Sequence, residues 1–317
     1  MQFIAVLIAL AIDRLTRLGS AWQLNRLLQR WLRWLADQDA VANILNWRYG
    51  WWLLALLPAV VVGLVLGMID HGLVELLVGV IILLVSFQAP QVRQAYRNWL
   101  QQPHAEHQRA LQEALEADVN AVDLPRPVDL PQALLWVNFK HYGAPIIVFA
   151  VLGAAAALAY VILREMQRLN IDDIVALDAE YADSDDADDR YEYQQAELAR
   201  QAWQQLPWPS LWLIVDWLPV RLATAGMLLV GNFSRGLPQW LASFSQPRHA
   251  AAEVLYEVAY AASDSFNGDN LDSLHQSEAS AEHIEVRAAQ AAVKMAKRNL
   301  FLVVVVLAVL TLSGYLY

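Results

Sequence analysis

Apolar residues along the chain gather into five long runs, at 50–69, 73–87, 144–163, 211–231 and 300–316. About 20 apolar residues cross a bilayer as a helix, and a soluble core rarely needs five such runs. The pattern predicts an all-α, polytopic membrane helix bundle with about five full transmembrane helices. Residues 1–12 are apolar but short, with neither a basic leading region nor a small-residue cleavage site. They are expected to persist as a short N-terminal apolar helix.

The segments between the runs follow a different rhythm. In residues 20–36 (SAWQLNRLLQRWLRWLA), Arg26, Arg30 and Arg33 recur at helical spacing, and Leu24, Leu27, Leu28, Trp31, Trp34 and Leu35 make up the apolar remainder. Such a helix fits two placements: flat against an anionic bilayer surface, or docked on the bundle with a solvated basic face. Residues 91–117 read as a polar helix, which DLPRPVDLP (123–131) interrupts. Residues 132–142 resume a helix that feeds the third run. Residues 263–282 read as a mobile loop, and 288–298 as a short basic helix before the last run. Trp51, Trp52, Trp136, Trp208 and Trp212 fall near span ends, where interface anchors are expected. The expected organisation is one integral-membrane domain, 1–317. Within it lie an amphipathic basic segment (13–48), cytoplasmic helices (88–143), an acidic loop (171–207), and cytoplasmic helices with a mobile loop (232–299).

Charge sharpens the topology. The chain has 317 residues and a net charge of −10. Residues 171–197 hold eleven acids against one base, Arg190, so that single stretch carries the whole excess. Of the 22 lysines and arginines, 17 lie in 13–48, 88–143 and 232–299. Five spans place those segments on one side, which the positive-inside rule makes cytoplasmic. The acidic stretch then faces the periplasm or exterior, as a solvated, disordered loop. Arg164 and Arg168, just after the third run, oppose this orientation. Together these features predict a multi-pass membrane protein.

Candidate chemistry is sparse. There is no cysteine, which excludes disulfides and thiolate chemistry. GNFSRG (231–236) has the glycine spacing of a phosphate-binding loop but is followed by Leu237 and Pro238 instead of lysine. No serine nucleophile signature appears. His104 and His107 lie three apart without a third ligand at matching spacing, and DSDDADD lacks the glycine and glutamate of a calcium loop. No metal, cofactor or nucleic-acid partner is expected, and no complete catalytic constellation is found.

The exception is VDWLPVRLATAGMLLVG (215–231), which sets Asp216, Pro219 and Arg221 inside an apolar run. Ionisable residues within a span are costly and mark functional sites or buried pairs. Asp216 and Arg221 are about 140° apart around a helix, so they need not pair with each other. One reading makes them interfacial anchors, with Arg221 snorkelling. The other makes them an inward-facing polar pocket completed by Asp13, Arg14, Asn138 and Lys140.

DWLPVRL (216–222), LPQWLASF (237–244), QALLWVNFKHYGAP (132–145) and AAVKMAKRNLFLVVVVLAVLT (291–311) resemble the AmpE family of inner-membrane proteins. AIDRLTRLGSAWQL (11–24) is similar but looser. The acidic stretch looks like an insertion relative to that family. The resemblance implies a role in regulating chromosomal β-lactamase, with the amidase AmpD of muropeptide recycling, another cytoplasmic protein, or a muropeptide or lipid-linked ligand as partner. A more distant similarity, in P-x-R-L (219–222) and in Asn138 with Ala144–Pro145, is to the membrane-bound adenosylcobinamide-phosphate synthases. The acidic residue and the Ser-Pro-Asn-Ala-Gly segment of those enzymes are absent here.

Two functions follow as expectations. One is a non-enzymatic signalling modulator acting through a cytoplasmic partner or an envelope-derived ligand. The other is a membrane enzyme or binder of a phosphorylated or carboxylated amphiphile, which requires Arg14, Asn138, Asp216 and Arg221 to converge. A transporter would need repeated halves with broken helices, and no internal repeat is visible.

Overall fold

The apolar runs form helices that bury one another's small and branched faces. The computed structural model describes residues 2–15, 24–69, 71–87, 89–119, 123–124, 127–175, 187–245, 250–263 and 278–314. Every regular element among them is helical, so the architecture is an all-α bundle. Among the described residues three helices are long and apolar enough to cross a membrane, or up to five if each of two bent pairs counts as one span.

Helix α1 (Gln2–Leu15) packs along α5 (Gly72–Ser86) through Ala5, Val6 and Ala9, all fully buried. Between them in sequence lie α2 (Leu24–Ala36), α3 (Asp39–Leu45) and α4 (Gly50–Met68). α4 is apolar on all sides, and Leu53, Leu57, Val60, Leu64 and Met68 line its exposed face. After α5 the chain bends by 54° into α6 (Pro90–Gln101), then turns back along α7 (Ala105–Asp118).

The centre of the bundle is Leu130–Leu152, most of whose residues are buried within the protein. It consists of α8 (Leu130–Asn138), a π-helical turn (Phe139–Gly143) and α9 (Ala144–Leu152). Asp129 starts α8, its carboxylate accepting from the Gln132 backbone N–H at 3.1 Å, with Pro131 in the first turn. The expected span at 144–163 is therefore displaced. Residues 130–143, read from the sequence as an extramembrane lead-in, are core, and Gly153 breaks the helix before α10 (Ala154–Gln167). Gly153 has φ of +86° with extended ψ, a region essentially reserved for glycine.

The run at 211–231 divides into α12 (Trp208–Val215) and α13 (Trp217–Val230), bent by 49° at Asp216, and α11 (Ala187–Gln204) precedes them. Pro219, in the first turn of α13, has no N–H to continue the ladder back across that break. α14 (Phe233–Ser245) and α15 (Ala251–Ala262) pack on each other and on α13. Helix α16 (Glu278–Leu312) is a single 35-residue rod against α8, α13 and α1, so the basic helix expected at 288–298 has no break from the last span. Gly226 of α13 receives the Asn299 side chain of α16, which sits where a Cβ would project.

A second, smaller core surrounds Trp51. α2 inserts Leu28, Leu32 and Leu35 against α4 and α10, leaving Arg26, Arg30 and Arg33 outside. This helix is docked on the bundle, with Leu27 and Trp34 left exposed.

The reading of the acidic stretch as one solvated loop is corrected here. Ala187–Gln204 is an 18-residue helix, α11, whose Ala199, Ala202 and Trp203 are buried against this core. The Trp51 indole N–H donates to the Ala199 carbonyl at 2.9 Å, and its ring meets Trp203 edge-on at 5.1 Å. The acids Asp188, Asp189 and Glu192 crowd the first turns of α11, and their number hid the apolar spacing of 199, 203 and 206 farther along. Residues 176–186, most of 264–282 and the DSDD of the acidic run lie outside the described residues. The anchor role expected of three tryptophans is also corrected: Trp51, Trp136 and Trp212 are interior, not interfacial.

Candidate functional site

The π turn decides which side chains enter the bundle. One extra residue in the turn rotates Phe139–Gly143 relative to an α-helix, and Lys140 and His141 both become buried. The Lys140 ammonium lies 2.9 Å from Asp216 Oδ2, and the Tyr160 hydroxyl donates to Asp216 Oδ1 at 2.8 Å. Asp216 has no solvent exposure. The ammonium also sits 3.2 Å from the ring centre of Trp212, and about equally far, at 5.1 and 5.4 Å, from Trp136 and Tyr160. This aromatic box faces the cation with π electrons where water is excluded.

On the other flank, His141 Nε2 lies 2.8 Å from Asp118 Oδ2, at the end of α7. Arg168 pairs with Asp118 Oδ1 at 2.8 Å and approaches Glu165 at 3.9 Å. Arg164 donates through Nε and Nη2 to Glu165 Oε1, at 3.0 and 2.8 Å, and through Nη1 to the Lys140 carbonyl at 2.9 Å. The ionisable groups thus form one connected network, from Asp118 through His141, Arg168, Glu165 and Arg164 to Lys140, Asp216 and Tyr160. Lys140, Arg164 and Arg168 stand against Asp118, Glu165 and Asp216, so the network compensates its own charge. A cavity of about 10 Å³ opens beside it, lined by Asp118, Asp123, Lys140, His141, Gln167 and Arg168 among others.

Two carboxylates outside the spans, Asp118 and Asp123, are driven in opposite directions. Burial works to raise Asp118, but its pairs with His141, Arg168 and Arg164 override that and hold it well below the usual carboxylate range. Burial pushes Asp123 up. Lys140 opposes that rise, and the neighbouring charge of Asp216 adds to it.

Of the six candidate residues, the structure brings Lys140 and Asp216 together and distributes the others. Asp13 binds Arg93 in bidentate fashion, at 2.8 and 3.1 Å, and accepts from the Tyr142 hydroxyl at 3.1 Å. Arg14 is exposed at the end of α1. The Asn138 amide donates to the Leu134 carbonyl of its own helix at 2.7 Å, and the residue lines a different cavity, of about 40 Å³, with Tyr142, Met227, Lys297 and Asn299.

Arg221 is buried between α13 and α14. Its guanidinium lies 4.3 Å from the Trp217 ring centre and 5.2 Å from that of Phe244, and it donates to the carbonyls of Trp217 and Ser243. The expected convergence of all six in one pocket is therefore corrected. Arg221 finds its partners in carbonyls and rings along its own helix and α14, five residues from Asp216 and on another side. Asp118, His141, Tyr160, Arg164, Glu165 and Arg168 were not singled out from the sequence. A signal for two of them existed, in the basic residues at 164 and 168 that opposed the charge topology.

The Regulatory signalling modulator protein AmpE family model matches residues 1–179 and 194–317. The chain belongs to the AmpE family. The match passes over 180–193, within the acidic stretch. Protein AmpE of Shigella flexneri is 27% identical over 329 aligned residues, covering the whole of both chains. No solved structure matches. The motifs that carry the family resemblance also build the network: 132–145 supplies the π turn, and 216–222 supplies the broken span. The family's description makes this protein a regulatory signalling modulator with several membrane-spanning helices.

Proposed function

We propose that the protein is a non-enzymatic modulator of the bacterial inner membrane, linked to peptidoglycan recycling and β-lactamase regulation. The buried network is its coupling device. One observation carries this reading: Asp118 ends an extramembrane helix, yet its carboxylate is tied to His141 of the central span and to Arg168, and through them to the break at Asp216. A ligand or partner that displaces α6 and α7 has to re-pair Asp118, which disturbs Lys140 and the bend. Buried ionic groups serve best as registers or switches, because breaking a pair is expensive while keeping it adds little stability.

The basic segments 13–48, 88–129 and 232–299 are assigned to the cytoplasm, and the acidic stretch goes with them rather than to the periplasm expected from charge alone, because Arg33 donates to the Asp173 carbonyl and Asn46 to Gln195. A soluble partner such as the amidase AmpD would then meet α6 and α7, and an envelope-derived muropeptide is the alternative stimulus. The test is a clean deletion complemented with wild type or with Asp118→Asn. β-Lactamase induction and muropeptide pools should change in the deletion, and Asp118→Asn should fail to restore them although it inserts normally. Unchanged induction and unchanged pools in the deletion would reject the proposal.

A further inference from the structure

The outward side of α16 carries a groove that the network does not use. It has a volume of about 460 Å³ and is lined by Val230 of α13 and by Lys297, Arg298, Phe301, Leu302 and Val305. Its two ends differ sharply. Lys297 and Arg298 form a cationic rim where the helix changes from polar to apolar, just before 300–312. Phe301 and Leu302, then Val305, follow one and two turns later, so the groove wall runs about 12 Å down the helix from Lys297.

Phe301 is 71% exposed and Val305 40%, so the wall faces outward. No acid occurs anywhere from 286 to 317, while Arg287, Lys294, Lys297 and Arg298 do. Among the described residues neither Lys297 nor Arg298 has an ion-pair partner. Lys297 also lines the inner cavity with Asn138 and Asn299, so polar groups continue behind the rim.

We propose that this groove is a binding site for an anionic phospholipid. Its phosphate sits at Lys297 and Arg298, and one acyl chain lies along Phe301, Leu302 and Val305. The occupant follows from the two ends of the groove. The helix is a candidate membrane span, so lipid surrounds the groove, and two unpaired cations at the polar boundary select a headgroup with net negative charge. Arginine supplies a fork that matches phosphate oxygens, and lysine adds a point charge. The site sits on the α13–α16 pair, so occupancy braces the span that contains Asp216.

The full-length chain in mild detergent would be titrated with phosphatidylglycerol and with phosphatidylcholine, and bound lipid counted by native mass spectrometry. Phosphatidylglycerol is expected to bind about tenfold more tightly or better, since two cations near a headgroup each favour it. The Lys297→Gln/Arg298→Gln variant should bring both lipids to the same level, whereas Arg287→Gln should leave the preference intact. Phe301→Ala should weaken both lipids alike. Equal binding of the two lipids by the wild type, or a preference that survives the double substitution, overturns the site. If the double variant does not insert, added salt decides the matter. The wild-type preference must fall as salt rises, and a salt-insensitive preference overturns the site.

Discussion

The Lys140 ammonium bridges Asp216 at 2.9 Å across the bend of the fourth run, inside a box of three aromatic rings. Each group is supplied by a distortion: Lys140 by a π turn, Asp216 by a break between two helices.

Removing one partner should therefore be worse than removing both. Asp216→Asn or Lys140→Met alone is expected to destabilise the bundle by about 3–5 kcal/mol, the effect of stranding a buried charge. The Lys140→Met/Asp216→Asn pair should lose clearly less than the sum. Detergent-based unfolding of the three variants measures the coupling, and strict additivity would show that the two groups do not interact.

The pH response should divide between two carboxylates. Asp118 is held below its unfolded value, so its contribution is present above about pH 4 and is lost as pH falls through its lower folded value. Asp118→Asn should be less stable than wild type at neutral pH, and the gap should start to narrow only below about pH 4. Asp123 is raised, so folding favours its protonated form and its unfavourable contribution appears as pH rises. Asp123→Asn should therefore be neutral or stabilising at pH 7, with the gain vanishing in acid. Melting temperatures across pH 3–8 would distinguish the two, and parallel curves for all three proteins would contradict both assignments.

Gly226 is required by the Asn299 side chain rather than by its own backbone. Gly226→Ala should destabilise by about 1–3 kcal/mol through overpacking, and adding Asn299→Ala should return most of that. Thermal unfolding of the single and double variants reads this directly. An unrelieved double variant would place the crowding elsewhere.

Helix α11 should detach without unfolding the spans. Trp203→Ala removes the edge-on contact with Trp51 and opens a gap in the smaller core, a loss of about 3–5 kcal/mol for a well-packed tryptophan. Limited proteolysis should cleave 187–204 faster in the variant, while the main thermal transition moves little. Equal cleavage rates would show that α11 is held by other contacts.

The membrane character and the helical class were legible because apolar run length is a direct consequence of bilayer thickness. The AmpE motifs and the anomaly at Asp216 were legible as well. Residues 130–143 were not, because a buried helix that mixes Trp136, Asn138, Lys140 and His141 has the composition of a surface helix until the partners of its charges are known. Gly153 gave no periodicity signal, since a single glycine inside an apolar run is compatible with an unbroken helix. The network escaped because its members come from four separate stretches. Lys140 and Asp216 are 76 residues apart, and no local spacing encodes such a pair.

Helix α16 runs 35 residues, Glu278–Leu312, without a break. That is about 52 Å of rigid rod, against roughly 30 Å of hydrocarbon. More than 20 Å therefore projects beyond the apolar layer, where Gln108 of α7 reaches Glu285 at 2.7 Å. A rod without a hinge acts as a lever. A tilt of about 10° at the membrane swings a point some 20 Å out by roughly 3–4 Å, more than a hydrogen-bond length. A small lean of one span is thus enlarged into a displacement at the surface that a soluble protein could read.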